Sequence, residues 1–263
     1  MIRRCRSALL FCVSSALVAS AWAQDSSARY VHVFVALADN AHQGIVPVAA
    51  VLGNGEDAEH NLYWGSAYGV KTFFSRSPDW TRVGCAEKPK PEILERCIFT
   101  HRSANVVLIA DAYRGSEIRK AILDFLDAAS GDPEILPAVR VQGTSRPETR
   151  GTANVVAYIG HDGLMDFQLG PLPWKKREFH PNAIVLACAS KQYFGELLKA
   201  SGAFPLLWTT NLMAPEAYTL KSALDGWIAG ETNEQIRDRA AGAYDKYQKC
   251  GLHAAHRLLV TGW

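Results

Sequence analysis

The chain has 263 residues, 28 Lys and Arg against 26 Asp and Glu, and six cysteines. Apolar residues at 48% and charged residues at 21% are ordinary globular proportions and argue against disorder, collagen and coiled coil. Residues 1–23 hold Arg3, Arg4 and Arg6 and no acid, so the remainder carries 25 basic and 26 acidic side chains, a net charge of −1. That balance gives no electrostatic case for a nucleic-acid partner or an anionic membrane surface.

The first segment reads as an address. Three arginines precede an apolar stretch from Ala8 to Ala19, and Ala21-Trp22-Ala23 follows. A basic start, a short apolar core and an Ala-x-Ala end make a secretory signal peptide, with cleavage expected after Ala23. About 12 apolar residues fall short of the roughly 20 that span a bilayer. Residues 24–263 are expected as one domain, exported to the periplasm or secreted, with no membrane contact after cleavage.

Export changes how the cysteines read. Cys5 and Cys12 leave with the signal, and Cys85, Cys97, Cys188 and Cys250 remain. In an oxidising compartment the default is a disulfide. Cys85 and Cys97 flank Glu87-Lys88-Pro89-Lys90-Pro91 and are the natural pair. Cys188 and Cys250 are left over, either bonded to each other or free.

Six apolar runs have the β-branched enrichment of buried strands: Tyr30–Leu37, Asn105–Ala110, Asn154–Ile159, Ala183–Ala187, Pro205–Thr209 and Arg257–Val260. Helices are expected at Ser116–Ala129, Tyr193–Ala200, Ala214–Ala229 and Asn233–Lys249. Strands apolar throughout, alternating with helices, predict an α/β fold with a mostly parallel six-stranded sheet covered on both faces. Residues 40–104 differ. Rich in glycine, with Trp64 and Trp80, they suggest extended loops and a short helix near Trp64–Phe74. So long a connection is read as an insertion packed beside the sheet, placed to roof a site.

In open α/β sheets function collects at the carboxyl ends of strands. The third run ends in Gly160-His161-Asp162-Gly163 and the fourth in Ala187-Cys188-Ala189-Ser190. If the two strands are neighbours, His161 and Cys188 face one crevice. A thiol at a helix start beside a base is suited to nucleophilic attack, and glycines near His161 let backbone N–H groups hold an oxyanion. The expected reaction is acyl transfer, with Cys188 attacking and His161 shuttling the proton. The plainer alternative makes Cys188 a small core hydrophobe and His161 a polar turn residue.

These residues resemble a known group. An apolar strand ending in His with a nearby Gly, then an apolar strand ending in Ala-Cys, is similar to the caspase-like cysteine peptidases of clan CD. Tyr158-Ile159-Gly160-His161 is most similar to the separase and CHAT form, and Pro205-Leu206-Leu207-Trp208-Thr209-Thr210-Asn211 resembles the CHAT strand after the cysteine. The resemblance covers residues 105–263 and hardly touches 40–100. It implies a caspase-like fold, a His161/Cys188 dyad, and Gly163 with Cys188 as oxyanion donors. The chain departs from the family's usual His-Gly pair, because Asp162 stands between His161 and Gly163.

The expected function is an exported cysteine-dependent hydrolase, an endopeptidase acting on peptide or protein through an acyl-enzyme. The alternative is a catalytically inactive binding module on the same scaffold. Asp39, Asp111, Asp162 and Asp166 fall near predicted strand ends and make a basic P1 residue the expectation. No cofactor is expected. Cys250-x-x-His253-x-x-His256 has the spacing of one helix face, but Gly251 interrupts it, so no metal site is expected there. The Asn54–Asn61 loop reads as a solvated turn. Lys175-Lys176-Arg177 reads as a solvated face or a processing site.

Overall fold

The computed structural model describes residues 28–138, 151–174 and 177–263. The segment read as a signal peptide, with its expected cleavage after Ala23, and Lys175 with Lys176 lie outside the described residues. Fourteen elements follow in chain order: β1 Arg29–Ala36, α1 Val70–Arg76, β2 Trp80–Lys90, β3 Ile93–His101, β4 Val106–Tyr113, α2 Ile118–Ala129, β5 Val155–Ile159, β6 Asn182–Leu186, α3 Ser190–Ser201, β7 Phe204–Thr209, α4 Ala217–Ala229, α5 Asn233–Gln248, α6 Leu252–Leu258 and β8 Leu259–Val260.

The strands form one mixed sheet in the order β2-β3-β4-β1-β5-β6-β7-β8. The five central strands are parallel, and β2, β3 and β8 are antiparallel additions at the edges. The α/β class and the mostly parallel sheet are as expected, but the sheet has eight strands where six were predicted. The two additions are the hairpin β2–β3, inside the segment read as loop. β2 is an edge strand whose residues after Trp80 are nearly all exposed, so it carries no apolar signal. The Pro/Lys-rich stretch lies largely within this strand, and Cys85 faces Cys97 directly across the ladder, where the two form a disulfide. At the other end, the predicted strand from Arg257 shortens to β8, because α6 takes residues up to Leu258.

Apolar side chains alternate between the two sheet faces. Val31, Val33 and Val35 of β1 pack with Phe74 of α1, Leu220 and Leu224 of α4 and Ile236 of α5. Phe34 and Ala36 face the other way, toward Ile122 and Phe125 of α2 and Phe194 and Leu198 of α3. Helices therefore cover both faces. Trp64, Trp80 and Trp208 are fully buried in these two cores.

Residues 40–69 make turns without strands, yet they are tied to the end of β1. Buried Asn61 accepts the Ala38 N–H at 3.0 Å and donates to the carbonyls of Ala38 at 2.8 Å and Asn54 at 3.0 Å. Gln43 donates to the carbonyls of Leu37 and Gly115 at 2.8 and 2.9 Å. Side-chain amides thus replace the ladder bonds a strand would supply. No helix among the described residues is long and apolar enough to cross a membrane.

Candidate active site

β5 and β6 are parallel neighbours, with Ile159 opposite Leu186. The residues two positions on, His161 and Cys188, therefore leave the sheet side by side. Both line a cavity of about 420 Å³ at the carboxyl ends of β1, β5, β6 and β7. Gly44, Ile45, Val46 and Val48 enter from the turns after β1, and Leu62 and Tyr63 from the same segment. Leu212, Met213, Ala214, Pro215 and Glu216 enter from the loop after β7. β1 has β4 on one side and β5 on the other, so this is where the strand order reverses and a crevice opens.

Cys188 is held by a sharp turn. Ala189 adopts the left-handed conformation, with φ 48° and ψ 32°, and α3 begins at the next residue. A non-glycine residue there carries roughly 1–2 kcal/mol of strain. Buried polar bonds hold the turn in place. Ser190 Oγ donates to the Val185 carbonyl at 2.9 Å and accepts the Thr209 N–H at 3.0 Å, and Thr209 Oγ1 donates to the Ala187 carbonyl. The Ala189 N–H bonds the Asn211 carbonyl at 2.9 Å. Strained strand-to-helix turns of this kind lift a nucleophile clear of a sheet.

The thiol of Cys188 is half-buried and free. Its Sγ accepts the Met213 N–H at 3.4 Å and lies 3.7 Å from the Met213 carbonyl, to which S–H donates. Burial pushes the thiol above its ordinary pKa; the Met213 N–H pulls it down and Asp162 pushes it up. The start of a helix can lower a thiol's pKa, but here burial outweighs it. Cys188 pairs with no other cysteine, and Cys250 is free and exposed, so the bonded alternative for these two does not occur.

His161 is fixed from two sides. Tyr158 donates its hydroxyl to the His161 carbonyl at 2.7 Å. Gly160, at φ +149°, leaves no room for a side chain: an added Cβ would meet the Ala36 carbonyl at 2.8 Å. The ring presents Nε2 to Asp166 Oδ2 at 2.7 Å, and that same oxygen accepts the Gly44 N–H at 3.0 Å. A carboxylate can only accept, so Nε2 carries the proton and Nδ1 is the nitrogen free to act as base.

The four aspartates do not gather into a pocket for a basic side chain. Asp39 is buried and turned into its own loop, accepting the Ala41 and His42 N–H groups at 2.9 and 3.2 Å and pairing with the His42 ring at 2.8 Å. Asp111 lies within β4, paired with Arg96 at 2.5 and 2.8 Å and with His32 at 3.0 Å. Neither lines the cavity. Asp162 is fully buried, accepts the Leu164 N–H at 3.0 Å through Oδ1, and leaves Oδ2 without a partner. Burial pushes its pKa up to about 7, the Leu164 N–H pulling it down and nearby Asp166 adding to the rise. The carboxylate paired with His161 is Asp166, not its chain neighbour Asp162. Asp166 thus holds the imidazole and is not free for a substrate cation.

Gly163 also stands elsewhere than expected. It opens a 3-10 turn, Gly163–Met165, and packs against Phe167 and Ile118, and it is not among the cavity-lining residues. Glu216, by contrast, is an acid on the cavity wall, accepting from Tyr218 at 2.8 Å and Gln248 at 3.1 Å. Burial raises its pKa. Sequence reasoning missed Glu216, Tyr63 and Met213, because loop residues without motif spacing carry no signal of their own.

The remaining candidates are accounted for locally. His253 contacts Arg257 at 2.7 Å and His256 lies 3.7 Å from Asp238, so these two rings have partners of their own. Among the described residues, the grouping with metal-ligand geometry is Cys85, Glu95 and Cys97, and its sulfurs are consumed in the disulfide. Arg177 pairs with Asp132 at 3.3 Å. No protein-family model matches the chain, and neither a curated protein nor a solved structure matches it.

Proposed function

We propose that this protein is an exported cysteine-dependent hydrolase on a caspase-like scaffold, acting on peptide bonds through a Cys188 acyl-enzyme. One observation carries the reading: Cys188 and His161 line one cavity from adjacent strand ends, and Asp166 stands behind the imidazole. Nucleophile, base and orienting carboxylate are the parts that acyl transfer needs. The disulfide supports an oxidising compartment.

The raised thiol pKa favours one order of events. At neutral pH the thiol stays protonated, so His161 removes its proton as Sγ adds to the carbonyl. The walls favour an apolar side chain at P1 over a basic one, since Ile45, Val46, Leu62, Met165 and Leu212 surround the reacting groups.

The second reading, an inactive binding module, draws on the same thiol: burial and nearby Asp162 both oppose its ionisation. Hydrolysis of a leucine-terminated peptide anilide separates the two. Cleavage by the wild type, abolished in Cys188→Ala, supports the hydrolase. Equal rates in both proteins would end it.

A further inference from the structure

Adding a thiol to a carbonyl puts negative charge on oxygen, and that charge needs a donor already in place. Of the two donors that the resemblance implies, Cys188 lines the cavity and Gly163 does not, so the second place is open. The Met213 N–H is taken by Sγ and the Gly44 N–H by Asp166. No serine, threonine, asparagine, glutamine, lysine or arginine lines the cavity. Apart from the ring of His161, the one side chain there built to donate is Tyr63.

Tyr63 is 7% exposed, and its hydroxyl has no hydrogen-bond partner among the described residues. Tyr63 lines the same cavity as Cys188 and Glu216, and both of these act on its phenol. Its backbone is fixed on both sides: the N–H bonds Asn61 Oδ1 at 3.2 Å, and the carbonyl accepts the Val70 N–H at 2.9 Å. Asn61 is the residue that ties this loop to the end of β1. The phenol is thus held by the scaffold rather than by a partner of its own, as a preorganised donor should be.

We infer that the Tyr63 hydroxyl is the side-chain donor to the oxyanion formed when Cys188 attacks a substrate carbonyl. The inference rests on the hydrolase reading. In the step, the Sγ–carbon bond forms as the S–H proton passes to His161 Nδ1, and the carbonyl π pair moves onto oxygen, where Tyr63 O–H donates. On collapse that pair re-forms the carbonyl, the carbon–nitrogen bond breaks, and the His161 proton goes to the leaving amine. Water then attacks the thioester by the same route, with His161 taking its proton and Cys188 leaving as thiol. Burial, with Cys188 and Glu216 nearby, pushes the phenol well above its ordinary pKa, so it keeps its proton across the working range.

Tyr63→Phe tests this with the ring retained. Loss of one oxyanion donor is expected to lower kcat by about 100-fold with KM little changed. Acetyl-leucyl-leucinal, whose hemithioacetal with Cys188 carries the same oxygen, should bind the variant weaker by a similar factor. Alkylation of Cys188 by iodoacetamide creates no oxyanion, so its rate should stay at the wild-type value and also report an intact site. Wild-type turnover and aldehyde affinity in Tyr63→Phe would overturn the inference while leaving the hydrolase standing. If the wild-type protein neither cleaves the anilide nor captures the aldehyde on Cys188, the hydrolase reading falls and takes this role with it.

Discussion

Asp166 holds His161 at 2.7 Å through the same carboxylate oxygen that accepts the Gly44 N–H, so one atom ties the imidazole to the loop roofing the cavity. Asp166→Asn keeps the shape but offers an amide that can donate to Nε2 and reverse the tautomer. Because the Asp166 side chain is 38% exposed, water can partly replace it, and the expected loss in kcat is about 10–100-fold, smaller than at a fully buried triad carboxylate. KM for the anilide should hold. Steady-state kinetics decide: an unchanged kcat would make Asp166 a loop tether and nothing more.

The thiol gives a pH prediction whose sign is set by burial. Cys188 lies above the ordinary thiol value, so its thiolate fraction is small at neutral pH and grows through the alkaline range. Alkylation followed by mass spectrometry should modify exposed Cys250 first at pH 7, with Cys188 labelling faster as pH rises past about 9. A Cys188 rate already at its plateau below pH 7 would instead show a preformed thiolate–imidazolium pair.

How much of this was legible beforehand follows from what each element does with its side chains. β1, β4, β5, β6 and β7 are buried along nearly their whole length, and burial of that kind writes continuous apolar runs. β2 is exposed almost throughout after Trp80, and beyond that residue its membership in the sheet rests on backbone bonds and one disulfide, which leave no apolar periodicity. His161 and Cys188 could be placed because strand ends are predictable. Asp166 was visible as a residue near the site, but its role was not. Whether a carboxylate faces an imidazole or a substrate depends on how the 3-10 turn Gly163–Met165 folds back. Tyr63 needed the loop path through Asn61, which no spacing encodes.

The Cys85–Cys97 bond closes a short hairpin at the sheet edge, with a sequence separation of 12. Loop-closure arguments give about 3 kcal/mol for a loop of that size. Treatment with a phosphine reductant should therefore lower the urea midpoint by an amount equivalent to about 2–3 kcal/mol. The site lies on the other side of β4 and β1, so anilide cleavage at low urea should persist. Loss of activity in step with reduction would show that the hairpin also shapes the cavity.

Asp162 sets a dependence of stability on pH. Its folded pKa is pushed up to about 7 by burial, against an ordinary value of 3.8 once unfolded. Between these values the folded chain keeps a proton that the unfolded chain has released, so stability falls as pH rises. The contribution is fully present below about pH 4 and lost above about pH 7, and a shift of this size is on the order of a few kcal/mol. Asp162→Asn keeps an oxygen for the Leu164 N–H and removes the charge that would otherwise form beside the unpartnered Oδ2. Urea unfolding from pH 4 to pH 8 should then show the variant gaining on the wild type as pH rises, with its curve the flatter of the two. Parallel curves would mean that Asp162 ionises in the folded protein as freely as in the unfolded chain.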